Sequence, residues 1–125
     1  MENRVGVIQG DVRLGGRSRI EHESPVKLVG PLWIRHGFKI GFYSYILGPA
    51  RIGRIESVGR YCSIAPGLTA GLSGHPTDWL STSTVQYSNT KFEDDDWHEN
   101  FEFTRRTART DPSKGAAPIR IGNDV

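Results

Sequence analysis

The sequence predicts an all-β fold, a parallel β-helix built from hexapeptide repeats, and three observations lead to this prediction. First, an aliphatic residue occupies every sixth position of the middle of the chain: Ile34, Ile40, Ile46, Ile52, Val58 and Ile64. Second, a glycine directly follows three of these positions, at Gly41, Gly53 and Gly59. Third, the same period continues upstream in a different phase, through Ile8, Leu14, Ile20 and Val26. A fixed period of this length is typical of hexapeptide-repeat β-helices.

Each six-residue unit corresponds to one short parallel strand and a corner, so three units form a coil of about eighteen residues. The aliphatic side chain of each unit points inward and stacks on its equivalents in the neighbouring coils. The phase changes by two residues near Gly30 to Trp33, which predicts a two-residue insertion at that corner, because a slipped register would turn every later side chain to the wrong face. Regular coils are expected over residues 8–70.

The fifth position of each unit should also point inward, close to a corner, and should therefore hold a small residue. The residues there are Ser44, Ala50 and Cys62, which fit, and Phe38, Glu56 and Leu68, which do not; the upstream phase places Val12, Ser18, Ser24 and Gly30 there. An inward carboxylate at Glu56 would need a partner. We therefore expect the coil to be distorted at this residue.

Length and composition agree with a single domain over residues 1–125. The chain is 36% hydrophobic and 24% charged, and it contains no apolar run of the length that a membrane span needs. Its net charge of +2 is too small to suggest a nucleic-acid partner. The single cysteine, Cys62, excludes an intrachain disulfide and favours a reducing, cytoplasmic location.

The repeat stops after Ala70 and resumes near Ile119, so residues 71–117 are predicted to be an inserted loop and residues 118–125 the start of a resumed coil. The inserted segment holds five Lys or Arg against eight Asp or Glu, whereas the remainder holds eleven against six. A basic coil surface would favour a phosphate-bearing ligand, although a solvated polar exterior explains the same charges. Long excursions from a rigid scaffold often carry function.

The excursion begins with a histidine, His75, in the segment Gly74 to Thr82. Pro76 stiffens the chain as it leaves the coil, and Asp78 or a backbone carbonyl could fix the imidazole tautomer. Trp79 could form the wall of a pocket. A neutral imidazole held in this way can accept a proton from a hydroxyl or amine near pH 7.

At these residues the chain resembles the left-handed β-helix acyltransferases, in the branch of streptogramin-type xenobiotic acetyltransferases and sugar or polysaccharide O-acetyltransferases. The segments that carry the resemblance are 40–45, 52–54, 58–67, 75–82 and 121–125. The resemblance implies a left-handed coil, a homotrimer with active sites between neighbouring prisms, and acetyl-CoA as acyl donor. No metal is implied.

Carried over residue by residue, the resemblance makes His75 the general base. That base would deprotonate a sugar or polysaccharide hydroxyl during its attack on acetyl-CoA, without a covalent intermediate. Trp79, Asp78, Tyr43 and Tyr45 are the candidate substrate-binding residues. The alternatives are packing for Trp79 and loop capping for Asp78.

Two departures from the family pattern bear on the acceptor and on the donor. Around the histidine, the chain differs from the family at Gly74 and over residues 83–87. The segment 88–117 is also longer than the corresponding segment of the antibiotic-modifying branch. Both differences make a drug acceptor less favoured than a sugar. The chain also stops at Val125, where family members continue through coils that carry most of the CoA contacts. We therefore expect a fragment of a longer protein, with most cofactor-binding residues beyond Val125, no measurable transferase activity on its own and weak acetyl-CoA binding.

Three other interpretations are alternatives to a sugar O-acetyltransferase. A non-catalytic β-helix scaffold or interaction module agrees with the repeat alone, and a xenobiotic acetyltransferase agrees with the resemblance. A zinc-dependent carbonic anhydrase on the same prism would need three gathered histidines, and His22, His36 and His98 do not have that spacing. His22 and His36 are expected on the exterior of the coils, and His98 in a solvated acidic loop.

Overall fold

The computed structural model describes residues 7–72, 74–75, 82–83 and 117–125. The chain divides into two compact units, one formed by Met1–Leu72 with Ala117–Val125 and the other by Ser73–Ala116. The first unit contains every strand of the described chain, and no helix is found among the residues described. The first unit is therefore all-β.

Twelve short strands form the described part of this unit, and all of their pairings are parallel. They are β1 (Ile8–Gln9), β2 (Val12–Leu14), β3 (Glu21–His22), β4 (Val26–Val29), β5 (Leu32–Ile34), β6 (Lys39–Ile40), β7 (Ser44–Leu47), β8 (Ala50–Ile52), β9 (Ile55–Val58), β10 (Ser63–Ile64), β11 (Thr69–Ala70) and β12 (Ile119–Ile121).

The strands build three four-stranded sheets, and each sheet takes every third strand. The first sheet has the order β1-β4-β7-β10, the second β2-β5-β8-β11 and the third β3-β6-β9-β12. Three consecutive strands thus complete one turn, and the unit is a parallel β-solenoid of about four turns, as the period predicts. We call the turn from the first to the second sheet the first corner, the next turn the second corner, and the turn back to the first sheet the third corner.

The predicted aliphatic series forms the core of the solenoid. Ile34, Ile40, Ile46, Ile52 and Val58 are all buried, and Cys62 packs among them. The expectation that Ile64 is buried is wrong, because it is only partly buried. Its strand β10 is the terminal strand of the first sheet, where the stacked partner of this side chain among the described strands is Ile46 of β7.

The predicted position of the two-residue insertion is wrong. Ile8 pairs with Leu28 and Leu14 with Ile34, a separation of twenty, but His22 already pairs with Ile40, a separation of eighteen. The two extra residues therefore lie at the second corner of the first turn, between β2 and β3. Gly16 at this corner has a φ of 55°, a conformation that glycine adopts without a steric penalty.

This shift changes the positions of two upstream residues. Val26 pairs with Ser44, so it takes the fifth position, and Leu28 takes the aliphatic position above Ile46. His22 stacks on Ile40 in the third sheet and is half-buried, which corrects the prediction of an exterior side chain. The imidazole therefore occupies an inward position of the repeat.

Glu56 does not point into the solenoid. Its neighbour Ile55 is buried in its place, and the Glu56 carboxylate faces outward and pairs with Arg120 at 2.6 Å. The pairing of β12 with β9 shifts register here, between Ile119 and Arg120. The expected distortion is present as this irregularity, and it avoids the cost of burying a carboxylate.

Candidate functional site

His75, the predicted base, belongs to the second unit. It is exposed, and it makes an interaction with another residue. Asp78 and Trp79 lie outside the described residues, as does His98. The orientation of His75 by Asp78 and the place of Trp79 in the pocket wall thus stay predictions.

The predicted residues Tyr43 and Tyr45 lie on the solenoid, two positions apart. Tyr43 belongs to the third corner and is 62% exposed, whereas Tyr45 lies on the outer face of β7 and is 38% exposed. In register with Tyr45 are Lys27 and Ser63 of the neighbouring turns. Both tyrosines are therefore accessible to a ligand or partner.

The third corner repeats the same backbone conformation in successive turns. Tyr43, Tyr61 and Asp124 have φ angles of 58°, 61° and 57°. This left-handed region costs a residue with a side chain roughly 1–2 kcal/mol, and aspartate tolerates it best of the three. The backbone hydrogen bonds from Tyr43 N to Pro25 O (2.6 Å) and from Asp124 N to Arg60 O (2.8 Å) link the corner from turn to turn.

Three aromatic rings cluster on this corner. The Phe42 ring lies 5.5 Å from that of Tyr43 and 5.2 Å from that of Tyr61, in both cases edge to face. The rings of Tyr43 and Tyr61 are nearly parallel, at 8° and 6.0 Å. Because Tyr61 is also 54% exposed, the corner presents two parallel phenol rings to solvent. We call Phe42, Tyr43 and Tyr61 the aromatic cluster.

An open groove lies beside this cluster, where the strands of the third sheet end. It has a volume of about 360 Å³. Its lining residues are Glu21, His22, Glu23, Lys39, Ile40, Gly41, Val58, Gly59, Arg60 and Asn123. Because parallel strands all end at the same edge of their sheet, residues distant in sequence meet here. We call this cavity the corner groove.

Glycine is required at the base of the groove. A Cβ at Gly41 would lie 2.6 Å from Cγ of Arg60, and one at Gly59 would lie 2.4 Å from the carbonyl oxygen of Gly122. Both distances are shorter than any normal contact. The glycines therefore allow the successive turns of this corner to approach each other closely.

Arg60 contacts both the groove and the aromatic cluster. Its guanidinium donates two hydrogen bonds to the Glu23 carboxylate, at 2.8 and 3.0 Å, and lies 4.9 Å from the centre of the Phe42 ring. The Phe42 backbone N–H also donates to Glu23, at 3.3 Å. The hydrogen bonds from Arg60 first, and from Phe42 second, lower the pKa of Glu23 below its ordinary value.

The charges that line the groove balance one another. Glu23 pairs with Arg60, and Glu21 pairs with Lys39 at 3.7 Å. His22 also lines the groove, and its Nδ1 is 3.2 Å from the Ser24 hydroxyl. The groove thus presents hydrogen-bond donors and acceptors side by side, and its two ion pairs together carry no net charge.

Within the described part of the chain, no group of three His, Cys, Asp or Glu side chains is placed to hold a metal ion. The described residues also include no helix with the length and hydrophobicity needed to cross a bilayer. No family model, no curated protein and no solved structure matches this chain.

Sequence reasoning identified one member of this corner, Tyr43, and missed Glu23, Phe42, Arg60 and Tyr61. One turn of the solenoid is eighteen residues in its regular part, as in the pairing of Ile40 with Val58. Tyr43 and Tyr61 are separated by this distance, and so are Phe42 and Arg60. Comparing exterior residues one turn apart would have predicted a stacked aromatic corner.

Proposed function

We propose that the chain is part of an acetyl-CoA-dependent O-acetyltransferase that acts on a sugar or polysaccharide hydroxyl, with His75 as general base. The observation that carries the proposal is the place of His75 in the chain. It follows β11 by a few residues, in a segment that interrupts the last turn of a parallel solenoid before β12 resumes it. The same segment carries the resemblance to hexapeptide-repeat acyltransferases.

The chemistry needs only one proton-transfer group. The His75 imidazole removes the proton from the acceptor hydroxyl as that oxygen attacks the thioester carbonyl. A new ester C–O bond forms, and a backbone N–H stabilises the oxyanion. The C–S bond then breaks, and the imidazolium returns its proton to the departing thiolate. The proposal includes the left-handed coil, the homotrimer and the cytoplasmic location given above, with Asp78 and Trp79 at the acceptor.

The test is His75→Ala in the full-length enzyme. We expect kcat to fall by about two to four decades, because a positioned general base contributes roughly 10²–10⁴-fold, while acetyl-CoA affinity changes little. His36→Ala is the matched control, since His36 is an exposed histidine of the solenoid, and it should leave kcat unchanged. Near-normal turnover of His75→Ala would contradict the assignment.

The second candidate is a non-catalytic interaction module, and the exposed aromatic cluster beside the corner groove favours it. In this case ligand binding would occur on the solenoid and would not need His75. Absence of acetyl transfer to any sugar by the wild-type full-length protein, together with intact ligand binding, would favour this candidate over the enzyme. A xenobiotic acceptor would be recognised by transfer to a drug hydroxyl in preference to a sugar.

A further inference from the structure

We infer that the corner groove and the aromatic cluster together bind a neutral saccharide, at a site that acts independently of His75. The site is built from turns of the solenoid alone. Its ligand would be a short run of uncharged pyranose units. One unit would lie in the groove and the next against the tyrosine rings.

The size of the groove fits one sugar unit and its neighbours. At about 360 Å³ it is near the lower end of the range for small-molecule sites, roughly 300–1,000 Å³. It is open to solvent, so a ligand in it can extend beyond the groove. Backbone hydrogen bonds link the third corner from turn to turn, which favours a site that is largely formed before the ligand binds.

The electrostatics of the groove select an uncharged ligand. Each carboxylate already has a cationic partner: Glu23 has Arg60, and Glu21 has Lys39. An anionic ligand would be repelled by the two carboxylates, and a cationic ligand would compete with Arg60 and Lys39 for them. Hydroxyl groups both donate and accept hydrogen bonds, so they can join such pairs without displacing either charge. The Asn123 side chain adds an amide to this set.

The aromatic cluster supplies the apolar half of sugar recognition. A pyranose ring has a face of C–H groups with partial positive charge, and an aromatic face carries partial negative charge. Tyr43 and Tyr61 stack nearly parallel to each other across two turns, and both are exposed, so a sugar can pack against the solvent-facing side of this stack. Arg60 links the aromatic cluster to the groove, because it contacts Phe42 of the cluster and Glu23 of the groove.

The left-handed corner also provides a clean substitution. Tyr61→Asn removes one ring of the aromatic cluster. Because Tyr61 has a φ of 61°, which asparagine tolerates better than most residues do, the backbone conformation should be retained. Glu23→Gln keeps the shape of the groove but removes its charge pairing with Arg60. Trp33→Thr is the matched control, since it removes an exposed aromatic ring from β5 of the second sheet.

The experiment is an NMR titration of the isotopically labelled 125-residue chain, without acetyl-CoA, using maltotriose, cellotriose and N,N′,N″-triacetylchitotriose as probes. We expect saturable shifts of the Gly41, Gly59 and Arg60 amides with at least one probe, at a Kd of roughly 1 mM. Tyr61→Asn should weaken this binding about tenfold, and Glu23→Gln should weaken it by a similar factor. Trp33→Thr should bind as wild type does.

Several results would overturn the inference. One is the absence of a saturable shift at the Gly41, Gly59 and Arg60 amides with any of the three probes at about 20 mM, roughly twenty times the expected Kd. Another is equal affinity of the wild type and of Tyr61→Asn for the probe. Tighter binding of an anionic probe, trigalacturonate, at the same amides would also overturn it, because it would show that charge and not hydroxyl pairing selects the ligand. Circular dichroism of each variant shows whether it is folded, and if Tyr61→Asn does not fold, Glu23→Gln decides. Since no acetyl transfer is measured, failure here is distinct from failure of the proposed catalytic role.

Discussion

Replacement of Ile46 by alanine should destabilise the solenoid more than the same replacement at Ile64, one turn further on. Ile46 is 0% exposed and stacks between Leu28 and Ile64 in the first sheet. Removing three carbon atoms costs about 2.4 kcal/mol at roughly 0.8 kcal/mol per methylene. The cavity that remains adds to this cost, because stacked neighbours on both sides limit relaxation. We expect a total of about 3–4 kcal/mol, within the range for such core truncations.

Ile64 provides the matched control. Its side chain is only partly buried, in the terminal strand of the first sheet, so Ile64→Ala should cost about half as much. The conservative Ile46→Val should cost about 0.5–1.5 kcal/mol.

The assay is urea unfolding followed by circular dichroism and by tryptophan fluorescence. Coincident transitions would justify a single free energy of unfolding, which a repeat architecture does not guarantee. Unchanged m-values would show that the substitutions act on the folded state. Two results would refute the inward stacking of these side chains. One is a decrease in the free energy of unfolding below about 1 kcal/mol for Ile46→Ala. The other is a decrease for Ile64→Ala as large as that for Ile46→Ala.

Three further predictions concern stability. Ser44→Ala should lower the free energy of unfolding by about 1–3 kcal/mol, measured with urea. The reason is that the buried Ser44 hydroxyl donates to a backbone carbonyl at 2.7 Å and accepts from a backbone N–H at 2.9 Å. A loss no greater than that caused by replacing an exposed serine would contradict this prediction. The pKa values of Glu23 and Glu56 are lowered by their arginine partners, so both carboxylates stabilise the fold above their ordinary pKa of 4.5 and lose this effect as pH falls through the lowered values. The double Gln variant should therefore show a flatter loss of stability below about pH 4.5 than wild type does, and identical pH profiles would be evidence against the two pairs. Gly37→Ala should destabilise by about 1–3 kcal/mol, because its Cβ would overlap a backbone carbonyl oxygen, whereas Gly122→Ala, with open space around its Cβ, should be neutral.

Much of the solenoid could be predicted from the sequence because its core follows one short period. A single inward position every six residues is enough to place Ile34, Ile40, Ile46, Ile52 and Val58 in the core, and the structure buries all five. Each turn repeats the requirement, so an error at one position does not change the pattern. The fold class follows from this redundancy.

The position of the upstream insertion could not be predicted in the same way. Val26 and Leu28 are both aliphatic, and both turn out to point inward, one at the fifth position and one at the repeat position. The sequence therefore supports two phases equally between Ile20 and Leu28. Only the pairing of β3 with β6 decides between them, and that pairing depends on how the chain turns after Leu14.

The corner groove was beyond sequence reasoning for a different reason. Its walls come from the ends of four strands, and Glu23 and Arg60, which close it, are thirty-seven positions apart. A local sequence motif cannot contain two residues so far apart. The six-residue period does not reveal them either, because it describes inward side chains, whereas Glu23 and Arg60 point outward. His75 is the opposite case, since its prediction rests on a contiguous segment.

Three irregularities in the described part of the solenoid lie at or directly after the second corner. The two extra residues lie between β2 and β3, the register shift lies at the start of the β9–β12 pairing, and the long excursion separates β11 from β12. The third corner, by contrast, repeats one left-handed conformation at Tyr43, Tyr61 and Asp124. A backbone that is repeated so closely from turn to turn leaves variation to the exterior side chains alone. The second corner is therefore where this chain accepts additional residues, and the third corner is where its rigid scaffold can hold a ligand in a fixed geometry.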